Sequence, residues 1–246
     1  MCGIVGVTGN DRSVSILIDG LKRLEYRGYD SAGIYVNDEK GHDYLVKRSG
    51  RISNLEAALT PEVKGLAGIG HTRWATHGVP NETNAHPHYS NDERFYLVHN
   101  GVIENYQQLK EEYLKGVEFK SQTDTEVIDQ LVDKFVVDYK MDTKDALLNV
   151  LRLISPDSSS AFALTMISSS STVTAMCPHL PGDIQKYPGR ICRGHPIKNF
   201  VHASISAARR SSGVICLGDF FPNRLGYSSF RLSTLGFFCC VDIHCR

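Results

Sequence analysis

The chain has 246 residues, 41% of them hydrophobic and 22% charged, with 27 basic and 27 acidic side chains; this is globular composition, enough for one large domain or two small ones. No stretch approaches the roughly 18 apolar residues of a membrane helix, and the apolar run Ile4 to Val7 is too short for a signal peptide. Position 2 is not glycine and Cys245 has one residue after it, so lipid anchoring has no support; the expectation is a cytoplasmic protein without disulfides.

Gly3 to Val7 is short, β-branched and closed by Thr8-Gly9-Asn10-Asp11, which predicts a buried strand ending in a turn. Ser13 is placed to cap a helix whose apolar positions are Val14, Ile16, Leu17, Leu21 and Leu24, and Arg27-Gly28-Tyr29-Asp30 breaks it. Strands are predicted at Gly33 to Val36, Asp43 to Lys47, Ala67 to His71 and Phe95 to His99. Helical patterns follow at Asn105 to Leu114, Thr125 to Tyr139 and Thr143 to Leu153, with Thr123 and Glu126 at capping-box spacing before the second. Ser160 to Met166 reads as a further strand. Strands in early and late groups, with helices between and outside, fit sheets covered by helices rather than one alternating parallel sheet.

After Met166 the pattern fails. A serine run, Ser168 to Ser171, leads into a segment interrupted by Pro178, Pro181, Pro188, Pro196 and Pro222, where no element is predicted. Residues 169–246 hold nine basic residues, three aspartates and no glutamate, which leaves 18 basic and 24 acidic residues before them. Six of the seven cysteines lie there too. The boundaries read from this are 2–168 for a first domain and 169–246 for an atypical tail. Cys177, His179, Cys192 and His195 have spacings too irregular for a zinc site, and Arg209-Arg210 reads as a solvated basic segment rather than a nucleic-acid surface.

Cys2 stands alone in the first part. If Met1 is removed, Cys2 carries both a thiol and a free α-amine. A thiol of pKa about 8.5 is mostly protonated at neutral pH, whereas an amine of about 7.7 to 8.0 is partly free to take its proton. A chance cysteine after the start methionine is the plainer reading of that residue by itself. Four further clusters accompany it. Tyr26 to Gly33 sets Arg27 and Asp30 among small residues in a tight loop, otherwise a solvated turn. His71 to Gly78 joins the one tryptophan, Trp74, to Arg73, whose planar fork suits a carboxylate, or else a strand end with one salt bridge. His99-Asn100-Gly101 ends a strand where an amide and a bare backbone N–H could receive an oxyanion, or is a plain turn. Asp124 sits near a helix start, where capping is the commoner role. His71, His77, His86, His88 and His99 match no metal-binding spacing, so no metal and no cofactor are expected.

Taken together, CGIVG at 2–6, EYRGYDSAG at 25–33, GIGHTRWATHG at 68–78, HNGVIEN at 99–105 and SQTDTEVI at 121–128 resemble the class II, N-terminal-nucleophile glutamine amidotransferases. The wording is similar to the glutaminase domain of the isomerising glucosamine-6-phosphate synthase family, over residues 2 to about 166. The resemblance implies an α/β fold of four layers, αββα. It implies Cys2 as the nucleophile toward the side-chain amide of L-glutamine, through a γ-glutamyl thioester, with Asn100 and Gly101 as the oxyanion hole. Arg73 would hold the substrate carboxylate and Asp124 its ammonium; Trp74, Thr76 and His77 would line the pocket and Arg27 would support the Cys2 end. Fructose 6-phosphate would be met only through isomerase domains that are not visible in this sequence, and homo-oligomerisation is left open. The break after Met166 fits a shifted reading frame or an unremoved intron, which makes a truncated, non-catalytic product that binds glutamine or a full-length partner the alternative reading.

Overall fold

A computed structural model describes residues 2–27, 30–38, 40–75, 78–154 and 163–168, together with four C-terminal strands at 172–176, 200–204, 213–217 and 237–239; of those strands, and of Arg27, Ala163 and Thr165, it describes the backbone alone. The chain runs β1 (Gly3–Thr8), α1 (Ser13–Leu24), a 3₁₀ turn (Glu25–Arg27), β2 (Ser31–Asn37), β3 (Asp43–Ser49), α2 (Ile52–Ala57), β4 (Ala67–Arg73), β5 (His88–Tyr89), β6 (Phe95–Asn100), α3 (Tyr106–Tyr113), α4 (Glu126–Val137), α5 (Thr143–Ile154) and β7 (Ala163–Ser168). It continues with β8 (Thr172–Met176), β9 (Phe200–Ser204), β10 (Gly213–Leu217) and β11 (Phe237–Cys239).

Two sheets result, in the orders β11-β10-β1-β4-β2-β3 and β5-β6-β7-β8-β9. All described pairings are antiparallel except β10 with β11. The sheets face each other: Tyr35 of β2 stacks on Tyr96 of β6 with ring centroids 3.6 Å apart, and Asn37 Nδ2 donates to the Ser168 carbonyl of β7 at 3.3 Å. Helices cover the two outer faces. Leu17, Leu21 and Leu24 of α1, with Ile52 and Leu55 of α2, bury against Val5, Val7, Ile34 and Val36. On the other side Val127, Ile128, Leu131 and Phe135 of α4 and Leu147, Val150 and Leu151 of α5 close over Leu97, Leu164 and Met166. Each fully buried side chain of this size stabilises the fold by about 1.5–3 kcal/mol relative to exposure. The layers are therefore αββα.

Both sheets continue into the C-terminal segment. Strands β8 and β9 extend the second sheet, and β10 lies beside β1, with Val5 opposite Cys216 and Val7 opposite Val214. These strands have three to five residues, too few to show a period, and the prolines between them mask any longer pattern. The same reason hid β5, two residues long, and the six-residue α2.

Two predicted caps are not formed. Ser13 is the first residue of α1 rather than its cap; its hydroxyl donates to the Gly65 carbonyl at 2.6 Å and ties the helix to the segment before β4. Thr123 and Glu126 make no capping box: the Glu126 carboxylate instead accepts from Lys120 N–H, Ser121 N–H and the Ser121 hydroxyl, at 2.8, 2.7 and 2.6 Å. It thus fixes the loop carrying Asp124. Among the described residues no helix is long and apolar enough to cross a membrane.

Candidate active site

The register of β1 on β4 brings the first cluster together. Gly3 pairs with Thr72, and the Gly3 N–H donates to Thr72 Oγ1 at 3.0 Å, so the residue before Gly3 falls beside the residues after Thr72. Cys2 accordingly receives the Trp74 N–H on its sulfur at 3.1 Å, and its thiol faces the Trp74 carbonyl at 3.6 Å. Cys2 is part-exposed, and Trp74 beside it is 55% exposed.

The end of β6 reaches the same place from the second sheet. Asn100 Nδ2 donates to the Cys2 carbonyl at 3.1 Å, while Asn100 Oδ1 lies 2.8 Å from His71 Nε2. Gly101 follows at φ 152°, a conformation L side chains rarely adopt. Beyond it the chain turns so that the Ile103 N–H donates to Asp124 Oδ2 at 2.7 Å. The Asp124 side chain is therefore aimed at the 100–103 loop, and Thr125, the N-cap residue of α4, makes no side-chain capping bond.

Arg73 ends β4 and is buried. Its Nη1 lies 3.5 Å from Asp30 Oδ1, and its Nη2 donates to the Gly78 carbonyl at 3.4 Å. Asp30 is itself held by the Ser31 hydroxyl, at 2.7 Å, and by the Ala75 N–H. Thr76, His77 and the Arg27 side chain lie outside the described residues.

Asp30, His71, His86, His88 and His99 were not assigned site roles from the sequence. Strand alternation puts His71 and Arg73 on one face of β4, a signal that could have marked His71. Its ring stacks on His86 at 4.1 Å between centroids; His86 meets His88 edge-on at 4.5 Å, and His86 Nδ1 accepts from His99 N–H at 3.4 Å. The sheet makes room for this column at Gly33, where a Cβ would stand 2.3 Å from the His86 carbonyl. Burial keeps all four rings neutral: it pushes His71 down to about 3, against the favourable bond to Asn100, and His99 down to about 4, against the nearby Asp124 charge. His86 and His88 are held well below the ordinary imidazole value by burial first, and second by the His71 ring at His86 and the Lys47 charge at His88.

A cavity of about 330 Å³ lies elsewhere, lined by Lys47, Glu82, His88, Tyr89, Lys120 and Glu126 among others. It contains none of Cys2, Arg73, Asn100 or Asp124. The candidate residues lie instead at the ends of β1, β4 and β6 and in the loop before α4: the Cys2 thiol, the Asn100 amide, the buried Arg73 guanidinium and the buried Asp124 carboxylate.

Residues 60–141 match a family model described as a glutamine amidotransferase domain; the matched span includes Arg73, Asn100, Gly101 and Asp124. Over 154 residues the chain is 64% identical to glutamine–fructose-6-phosphate aminotransferase (isomerizing) of Lactiplantibacillus plantarum, covering 63% of this chain and 26% of that protein. It is 57% identical over 164 residues to the protein of the same name from Streptococcus pneumoniae serotype 4, covering 67% and 27%. The chain thus spans about a quarter of the length of these curated relatives. Among solved structures it is similar to glutamine phosphoribosylpyrophosphate amidotransferase from B. subtilis, with a TM-score of 0.60 and 28% identity over 72% of this chain and 37% of that one.

Proposed function

We propose that this chain, which carries a glutamine amidotransferase domain, hydrolyses L-glutamine to glutamate and ammonia with Cys2 as the nucleophile. The observation that carries the reading is the convergence on Cys2 of the Trp74 N–H on its sulfur and the Asn100 amide on its carbonyl, from two different sheets. With Met1 removed, the α-amine of Cys2 takes the thiol proton as the sulfur attacks the side-chain carbonyl carbon of glutamine. The oxyanion that forms faces the second N–H of Asn100 Nδ2 and the N–H of Gly101, donors fixed before the reaction begins. The protonated amine returns its proton to the leaving nitrogen, which departs as ammonia and leaves a γ-glutamyl thioester. Water then attacks the thioester, releasing glutamate and restoring the thiol.

In this reading the Arg73 guanidinium holds the substrate α-carboxylate and the Asp124 carboxylate its α-ammonium, a pair that selects a free amino acid. Trp74, Thr76 and His77 line the pocket, and Arg27 supports the Cys2 end. The ammonia corresponds to the nitrogen in the aminotransferase names of the relatives; passing it to fructose 6-phosphate would need chain beyond the quarter of their length covered here.

Glutamate release from glutamine by purified protein tests the reading, alongside Cys2→Ala and an intact-mass measurement at the N-terminus. Protein that has lost Met1 is expected to release glutamate, and Cys2→Ala to release none. Indistinguishable preparations would sink the catalytic assignment and favour a glutamine-binding product without turnover.

A further inference from the structure

We infer that His71 is a positioning residue for Asn100: a neutral ring that donates from Nε2 to Asn100 Oδ1 and so fixes which end of the amide faces the reacting atoms. The inference rests on the glutaminase reading above for its consequence, and on hydrogen-bond logic for its geometry.

The side-chain amide of Asn100 lies between two partners, the Cys2 carbonyl at 3.1 Å and His71 Nε2 at 2.8 Å. A carbonyl oxygen only accepts, so the NH₂ end of Asn100 must face Cys2. The oxygen end therefore faces His71, and Nε2 must carry a proton. One of the two Nδ2 protons is taken by the Cys2 carbonyl, and the other stays available at the nucleophile. Turning the amide over would set two oxygens 3.1 Å apart at Cys2 and present a carbonyl, instead of a donor, to the developing oxyanion.

The Cys2 carbonyl holds the NH₂ end of the amide, and His71 holds its oxygen end. Asn100 is 5% exposed and His71 is fully buried on β4, so water does not substitute readily for the ring. Burial first, then the nearby Arg73 and His99, oppose a second proton on His71, against its bonds to Asn100 and to the His99 backbone. A single tautomer thereby sets a donor direction two residues from the chemistry. Displacement of about an ångström in such a donor, or its loss, typically costs on the order of a hundredfold in rate.

The test compares His71→Leu, His71→Gln and Asn100→Ala in steady-state glutamine hydrolysis, with alkylation of the Cys2 thiol by iodoacetamide as a check that the site is assembled. His71→Leu is expected to lower kcat by about 10²-fold with KM within about threefold, at unchanged alkylation rate. His71→Gln, which keeps an N–H donor at similar reach, should recover most of kcat. The double variant His71→Leu/Asn100→Ala should be no slower than Asn100→Ala, because both changes remove one device. A His71→Leu enzyme within threefold of the parent, multiplying losses in the double variant, or a His71→Gln enzyme as slow as His71→Leu would each overturn the inference. Should His71→Leu fail to fold, His71→Asn replaces it, its amide too short by a methylene to reach Asn100. Long-range ¹⁵N–¹H spectra of the parent protein judge the geometry without turnover: an Nε2–H tautomer at His71 supports it and an Nδ1–H tautomer overturns it. Absence of glutamate release by the parent, with the Nε2–H tautomer present, overturns the glutaminase reading and leaves the His71–Asn100 geometry standing.

Discussion

Asp30 and Arg73 bind each other twice across the ends of β2 and β4: the Asp30 N–H donates to the Arg73 carbonyl at 2.8 Å, and the Asp30 carboxylate stands 3.5 Å from Arg73 Nη1. The Arg73 side chain is 4% exposed. A charge so placed needs a partner, and Asp30 supplies it.

Asp30→Asn should therefore act on both folding and substrate binding. The backbone bond survives and the charge does not, so the variant is expected to lose about 2–3 kcal/mol, near the low end for breaking a buried pair because Asp30 is partly exposed. KM for glutamine should rise at least about tenfold with a smaller change in kcat. Thermal melts and steady-state kinetics check this; an unchanged melt together with an unchanged KM would contradict the assigned role.

Asp124 separates charge from hydrogen bonding. Asp124→Asn keeps an acceptor for the Ile103 N–H and removes only the charge proposed to meet the substrate ammonium. It should fold like the parent and bind glutamine about 10–100-fold more weakly, as expected for a charge-assisted bond worth about 1.5–3 kcal/mol. Asp124→Ala leaves the buried Ile103 N–H without its acceptor, and the melt should show a further loss of about 1–3 kcal/mol. If Asp124→Asn binds glutamine as the parent does, the ammonium is held elsewhere.

The histidine column predicts acid sensitivity. His71, His86, His88 and His99 all have pKa values depressed by burial from the ordinary 6.5, to about 3 at His71 and about 4 at His99. Below about pH 6.5 the unfolded chain takes up protons that the folded chain refuses. The stability is thus complete above that pH and falls as the pH drops toward the folded values, by up to about 1.4 kcal/mol per ring per pH unit. Melting temperature measured from pH 7.5 to 5.5 should decline, and the decline should be shallower in His88→Gln. A His88→Gln profile with the same slope as the parent's would mean that the His88 ring is not buried in solution.

Asp129 predicts the opposite trend. Among the described residues neither of its buried carboxyl oxygens has a hydrogen-bond partner, and burial, reinforced by Glu126 and Asp133 and opposed by Lys47, raises its pKa well above the ordinary 3.8. The folded chain keeps a proton that the unfolded chain releases, so this contribution falls as the pH rises from about 3.8 toward the folded value. Asp129→Asn, which does not titrate, should be more stable than the parent at pH 7.5 by about 1 kcal/mol or more, and the gain should shrink at pH 4. Chemical denaturation at the two pH values measures the difference; equal effects at both would show that Asp129 is not buried as a neutral acid.

Much of the fold was legible before any coordinates. Strand β1 announces itself by a short β-branched run with a turn after it, and α1 by apolar residues at helical spacing, because each buries one continuous stripe or face. Helix boundaries were less secure: Ser13 and Thr123 looked like caps because capping residues have short polar side chains, but tertiary partners, the Gly65 carbonyl and the His88 ring, claimed them instead. The short β5, α2 and the four C-terminal strands carry too few residues for any period to register.

The sequence by itself determined that Cys2, Arg73, Asn100, Gly101 and Asp124 are residue types able to attack, hold and stabilise, and the family wording around them is linear information that needs no folding. What only the tertiary structure decided is how they are held. Asp30 pairs with Arg73 because β2 and β4 are neighbours in one sheet, and His71 meets Asn100 because the two sheets face each other. Neither contact has a signature in local spacing, since both join residues separated by tens of positions through strand pairing and sheet packing. The orientation of the Asn100 amide, and with it the direction of the donor offered at Cys2, is set by that packing.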